Sequence, residues 1–276
     1  LSQRRSQMRG RVKFVFQPAE EIGQGARAMI DDGVLADPRP DYSLGLHLWN
    51  ELPVGLVGVT AGPCMSAADI WRCTITGSGG HGAAPHLTRD PILAAAQVIT
   101  AAQSIVARHV DPLDSAVVTV GSLHAGDAFN VIPPTAELKG TLRTFKKGTQ
   151  ESVQQRLKEI CEGVAAAMGC RAEVEITPMT LAVDNDPALA ERIAVIAGTV
   201  VGAENVRRDI RTMGSEDMSF LMSDIPGCFF FVGSANAQRG LNYPHHSPRF
   251  DIDEAALPIA AAILAQAAAS FVLPES

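Results

Sequence analysis

The sequence is short of paired cysteines and of runs of one charge, and each shortage removes a class of protein. Its five cysteines, Cys64, Cys73, Cys161, Cys170 and Cys228, stand singly with no C-x-x-C. Neither a zinc ribbon nor a dithiol redox motif is offered, and free thiols in a reducing cytoplasm are the expectation. The longest basic run is Lys146–Lys147, and 23 Lys plus Arg stand against 30 Asp plus Glu, a net charge of −7. That balance predicts no nucleic-acid partner and no anionic membrane surface. The opening LSQRRSQMRG lacks the apolar core of a signal peptide. There is no G-x-S-x-G elbow and no H-E-x-x-H. Gly77 to Gly82 spells G-x-G-x-x-G, but the following ITAAQS has no acid for a ribose and no helix opens at the third glycine. A dinucleotide site is not expected.

What is present is a globular chain of 276 residues, 46% hydrophobic and 19% charged, with no low-complexity tract. That length suits one large domain or two of ordinary size. Residues 11–17 read as a strand, 25–35 as a short helix, and YSLGLHLW and GLVGVTAG as two more strands. The rhythm changes near residue 66. A strand, DIWRCTITG, is followed by a glycine-rich loop and a helix opened by Asp90–Pro91. Ile92, Leu93, Ala96, Ile99, Ile105 and Val106 fall on one face of that helix. Two strands, a helix over 149–168 and a strand RAEVEITPM complete a β-α-β-β-α-β order. The expected fold is therefore α/β, with a mixed-sheet domain (1–66 and 181–276) interrupted by a ferredoxin-like insertion (67–180). In the last part, helices are predicted over 187–202 and from Ser215, with Ser215 and Glu216 as caps. The uncharged stretch 255–273 reads as a closing core helix, its length alone also allowing a membrane span. The apolar strand so near Leu1 suggests a chain that continues upstream.

Glu20 and Glu21 stand together in FVFQPAEE, after an apolar run. Two adjacent carboxylates repel one another unless a cation lies between them or water surrounds them, so a solvated turn is one account and a metal site the other. His47, His81, His245 and His246 fall in loops or near predicted strand ends. Each, taken singly, serves equally as a packed or surface histidine. Carboxylate and imidazole together suit Zn, Mn or Co. Of two neighbouring glutamates, one can hold metal while the other takes a proton from water. In open α/β sheets, sites gather at strand ends.

Seven segments in order, VFQPAEE, GLHLW, GSGGHGAAPH, the Asp-Pro helix start, AGDAFNVIPPTAELKGTLRTF, MGSEDMSFLM and HHSPRFDIDE, resemble the aminoacylase/carboxypeptidase metallohydrolases. The resemblance is strongest to the amidohydrolase branch of hippurate and auxin-conjugate hydrolases, and it covers nearly the whole chain. It implies a catalytic α/β domain with a ferredoxin-like lid that also dimerises. It further implies two divalent ions (Zn, Mn, Co or Ni) and hydrolysis of the amide bond of an N-acyl amino acid through a metal-bridged water. By position, Glu20 is the implied general base. Glu21, His47 and His246 are the implied metal ligands, His246 being preferred to His245. His81 is the implied oxyanion partner, with the option of reaching into a partner subunit's site. Asn130 and Arg143 are implied substrate contacts, with a structural role the alternative for Arg143. The family's upstream H-x-C-G-H-D-type segment, which supplies a cysteine and a histidine ligand, has no counterpart here. The expectation is a member lacking its N-terminal portion. A dipeptidase or aminopeptidase on the same scaffold, and an inert dimerising remnant, are the alternatives.

Overall fold

In the computed structural model, which describes residues 1–274, the first apolar run falls in residues 11–18, which lie outside every strand and helix. Phe14 and Phe16 are 73% and 86% exposed, so the strand expected over 11–17 does not form. β-propensity fits a residue for a sheet but supplies no neighbour for its N–H and C=O groups. A single 3₁₀ turn, Glu20–Ile22, leads into helix α1 (Gly25–Asp31). Then come strands β1 (Ser43–Pro53), β2 (Val57–Gly58) and β3 (Gly62–Met65).

The chain next builds a second unit, Met65–Ala182, to which Met213–Glu216 also belongs. Its elements are β4 (Ala67–Thr76), β5 (Gly80–His81), α2 (Pro91–His109), β6 (Ala116–His124), β7 (Val131–Ile132), β8 (Thr135–Thr144), α3 (Lys147–Ala167) and β9 (Arg171–Thr180). Four strands form an antiparallel sheet in the order β6-β8-β4-β9, and β5 pairs with β7 in a small ribbon. Trp71, Cys73, Ile75, Leu138, Leu142, Val153, Leu157 and Cys161 pack between this sheet and the two helices. Gly140 is required at its position, because a Cβ there would lie 1.8 Å from the Thr119 carbonyl oxygen and 2.6 Å from the Trp71 ring.

Helix α2 starts as its sequence dictates: the Asp90 carboxylate accepts from the Ile92 and Leu93 amides, and Pro91 takes the first position. The buried face differs from the one expected. Ala94, Ala95, Val98, Ala102 and Ile105 are inside, whereas Ile92, Leu93 and Val106 are exposed. Small side chains let the helix lie close to the sheet, so packing distance rather than side-chain size chose the face. Among the described residues α2 is the one helix long and apolar enough to cross a membrane, by length and composition only.

Returning to the first unit, the chain forms β10 (Val183–Asn185), α4 (Pro187–Val201), β11 (Val206–Arg207), α5 (Ser219–Asp224), β12 (Gly227–Ala235) and α6 (Ala256–Val272). Asp186 caps α4 by accepting from the Leu189 amide, with Pro187 next to it. The sheet order is β1-β12-β2-β11, with β1 parallel to β12 and β12 antiparallel to β2. β12 is buried at every residue, as a strand covered on both faces must be. Phe230, Val232, Leu189, Ile193 and Ile263 form its core with α4 and α6, so 256–272 closes the core of this unit. Helix α5 begins at Ser219 after Met218, with no side-chain cap. The caps expected at Ser215 and Glu216 are therefore wrong, and those residues do other work.

Candidate metal centre

The Glu20–Glu21 turn is bounded by two left-handed residues, Ala19 (φ 53°) and Gly23 (φ 64°). For alanine this conformation costs about 1–2 kcal/mol, and such strain gathers at functional sites. The turn sends the two carboxylates to different partners. Glu21 Oε2 lies 3.9 Å from His246 Nε2, both side chains being 78% exposed. Glu20 joins Glu216 and Asp217, each offering a carboxylate oxygen within 4.8 Å of the others. This is the one group of three or more metal-donor side chains among the described residues. Glu216 and Asp217 are bonded neighbours, so what the fold adds is Glu20.

Asp217 is fully buried, and its carboxylate is engaged with protein groups as well. Oδ2 accepts from the buried Ala26 amide at 2.9 Å, and Oδ1 accepts from the Gln17 side-chain amide. Asp217 thereby anchors the start of α1, just beyond the Glu20–Glu21 turn. Nothing in GSED announced this, because an acid before a helix reads as a cap.

The histidines are set by β1 and by the loop that follows β12. His47 Nδ1 lies 2.5 Å from the Leu48 carbonyl oxygen, and His245 Nε2 lies 3.0 Å from the same oxygen. A carbonyl only accepts, so neutral His47 carries its proton on Nδ1 and leaves Nε2 with a lone pair suited to a metal. His245 stacks on Trp49 at 4.9 Å and 25°, tilts against Phe250 at 4.8 Å, and meets the His47 ring edge-on at 4.9 Å and 80°. Burial, and then the neighbouring His47, push the His245 pKa below the ordinary histidine value. His246, next in sequence, is turned the other way by a positive φ of 64°.

Asn50 fastens this loop at both ends, donating to the Tyr243 carbonyl at 3.0 Å and the Asp251 carbonyl at 2.8 Å. Its own oxygen accepts from the Ser234 hydroxyl on β12. Asn50 carried no signal in the sequence, since its partners lie about 190 residues or more away.

In the second unit, His81 on β5 faces Val131 on β7, and the Gly82 amide donates to the Asn130 carbonyl at 2.8 Å. A Cβ on Gly82 would stand 3.0 Å from that oxygen, which accounts for the glycine. The Ala83 amide donates to His81 Nδ1 at 3.0 Å, so neutral His81 carries its proton on Nε2 and presents a donor to solvent. Arg143 Nη1 donates to the Ser215 hydroxyl at 2.8 Å. Burial lowers the Arg143 pKa, and Asp69 opposes that shift. Ser66 donates to the Met213 carbonyl and holds the same segment.

The donors fit a divalent ion. Ligand atoms about 2.0–2.2 Å from one tetrahedral ion stand roughly 3.3–3.6 Å apart. The Glu21–His246 spacing of 3.9 Å is close to that and beyond hydrogen-bond reach. Glu21, His47 and His246 lie outside the three-carboxylate group.

Residues 1–270 match the model of the Peptidase family M20/M25/M40. The chain belongs to that family. It is 37% identical over 268 residues to an N-acetylcysteine deacetylase of Bacillus subtilis, covering 97% of this chain and 68% of the relative. To IAA-amino acid hydrolase ILR1-like 4 of Arabidopsis thaliana it is 38% identical over 277 residues, covering 99% of this chain and 62% of the relative. A solved structure from B. subtilis, described as a dinuclear metal binding peptidase from the M20 family, superposes with a TM-score of 0.80 at 33% identity. It covers 98% of this chain and 67% of that one. The M20 chain thus spans about two thirds of the length of these relatives. Membership and the carboxylate cluster place it among metal-dependent hydrolases.

Proposed function

We propose that the protein hydrolyses the amide bond of N-acyl amino acids, with Glu20 as general base. The observation that carries this reading is the meeting of Glu21 and His246, 225 positions apart in sequence, at metal-ligand spacing beside the Glu20 turn. The activities for which the relatives are named, an N-acetylcysteine deacetylase and an IAA-amino acid hydrolase, favour the same substrate class. Glu21, His47 and His246 would hold two divalent ions (Zn, Mn, Co or Ni). When bound, the ions supply positive charge against the scissile carbonyl and acidify nearby water.

The rest falls to side chains. The Glu20 carboxylate accepts a proton from the attacking water and returns it to the leaving nitrogen. His81 donates its Nε2 proton in a hydrogen bond to the oxygen that becomes negative. Asn130 orients the substrate. Arg143 has five N–H donors, so its bond to Ser215 leaves others for a substrate carboxylate. The β-α-β-β-α-β unit is read as a ferredoxin-like lid through which two copies associate, in the cytoplasm.

The test is release of amino acid from N-acetyl and N-benzoyl amino acids, with added Zn²⁺ or Mn²⁺, against free dipeptides. Turnover of acylated substrates that Glu20→Gln abolishes, with bound metal retained, supports the reading. Turnover of dipeptides alone shifts it to a dipeptidase or aminopeptidase. No turnover and no retained metal sinks it for this chain.

A further inference from the structure

His245 is placed where it can do one thing for its neighbour. Its ring stacks on Trp49, tilts against Phe250 and meets His47 edge-on, and its Nε2 bonds the Leu48 carbonyl that His47 also uses. An imidazole can turn over about its Cβ–Cγ bond, exchanging the positions of its nitrogens, unless something occupies the space it must sweep. From the shared Leu48 carbonyl and the edge-on ring contact, we infer that His245 is a positioning residue that walls His47 into the Nδ1–H form, keeping Nε2 bare. Its consequence for metal rests on the reading of His47 as a ligand; the wall itself does not. A ligating histidine is commonly fixed through the nitrogen that does not bind metal, and losing that support costs about 10–100-fold in metal affinity. Here the fixing atom is a backbone oxygen of the next residue, and backbone cannot be lost by mutation. The ring beside it can.

The inference separates His245 from His246 by role. His246 turns outward toward Glu21, while His245 uses its Nε2–H on Leu48 and its ring faces on aromatic neighbours. It is a wall, not a second candidate for the same ion.

Side-chain ¹⁵N NMR of the metal-free 276-residue chain at pH 8 reads both tautomers directly. The wild type should show His47 protonated on Nδ1 and His245 on Nε2. His245→Ala should leave His47 a mixture of tautomers, and His245→Phe, which keeps a flat ring in the slot, should restore the single form. If alanine does not fold, His245→Ser, which also empties the slot, takes its place. His47 protonated on Nε2 in the wild type overturns the inference, as does an unchanged His47 in the alanine or serine variant. Equal loss in His245→Phe overturns the wall as well. Zn²⁺ titration is the separate arm. A wild type with the stated tautomers that binds no Zn²⁺ leaves the wall standing and removes His47's role as ligand. A Zn²⁺ affinity that falls about 10–100-fold in His245→Ala, and is retained in His245→Phe, supports both.

Discussion

Asp217→Ala removes a carboxylate that a buried amide depends on. The Ala26 N–H donates to Asp217 Oδ2 at 2.9 Å, and Ala26 is fully buried, so no water can replace the lost acceptor. A hydrogen bond to a charged group contributes about 1.5–3 kcal/mol, and leaving its buried partner unsatisfied costs about 1–3 kcal/mol. These are two descriptions of the same loss and are not summed. The charge at the start of α1 adds about 0.3–1 kcal/mol. The expected local destabilisation is therefore about 2–4 kcal/mol. Gln17 is only partly buried, and its freed amide can turn to water at little further cost. Hydrogen exchange reads the result at the residue concerned: the Ala26 amide should exchange roughly 30- to 700-fold faster, at tenfold per 1.4 kcal/mol. Asp217→Asn is a graded control. It keeps one oxygen for Ala26, and Gln17 can present its own oxygen to the new NH₂, so a loss of about 1 kcal/mol is expected. Unchanged protection of Ala26 in the alanine variant, or equal loss in both variants, would refute the anchoring argument. The same anchor steadies the Glu20–Glu21 turn, so a loosened α1 should also weaken metal retention.

Other consequences are smaller in scope. With His81 as the proposed oxyanion partner, His81→Ala should lower kcat by about 10²–10³ with little change in KM, since such a bond forms only as charge develops; a change confined to KM would assign His81 to binding instead. Ala19→Gly relieves about 1–2 kcal/mol of left-handed strain against about 0.5–1 kcal/mol of added chain entropy. A net gain of about 0.5–1 kcal/mol, or about 1–4 °C in Tm, should appear in thermal melts. Asp253 is held below the usual carboxylate range by the Asn236 amide, then by the Ala255 N–H and Arg239. A depressed folded pKa contributes stability that is present above the unfolded value of 3.8 and lost as pH falls through the folded pKa. The stability difference between wild type and Asp253→Asn should therefore hold near pH 6 and shrink below about pH 3.8; a constant difference would place the loss elsewhere.

Local sequence determined the elements and the donor types. Asp-Pro at residues 90–91 and 186–187 started helices because a cap and a fixed φ act within one turn. The apolar run GCFFFVGS became a strand buried on both faces because nothing polar interrupts it. Motif order was enough to single out Glu20, Glu21, His47, His81 and His246 as candidates. Tertiary structure decided what depends on distant partners. It left 11–17 outside any strand, because a strand is completed by its neighbour. It buried the alanine face of α2 rather than the isoleucine and leucine side, because close packing rewards small residues where helix meets sheet. It turned Asp217 from an expected cap-segment residue into an anchor for α1, and it gave Asn50 the loop that carries His245 and His246. The proton positions on His47 and His245 were likewise fixed by one carbonyl oxygen and a ring about 200 residues away in the chain. Spacing along a sequence specifies which groups are available; only three-dimensional contact specifies which of their atoms are used.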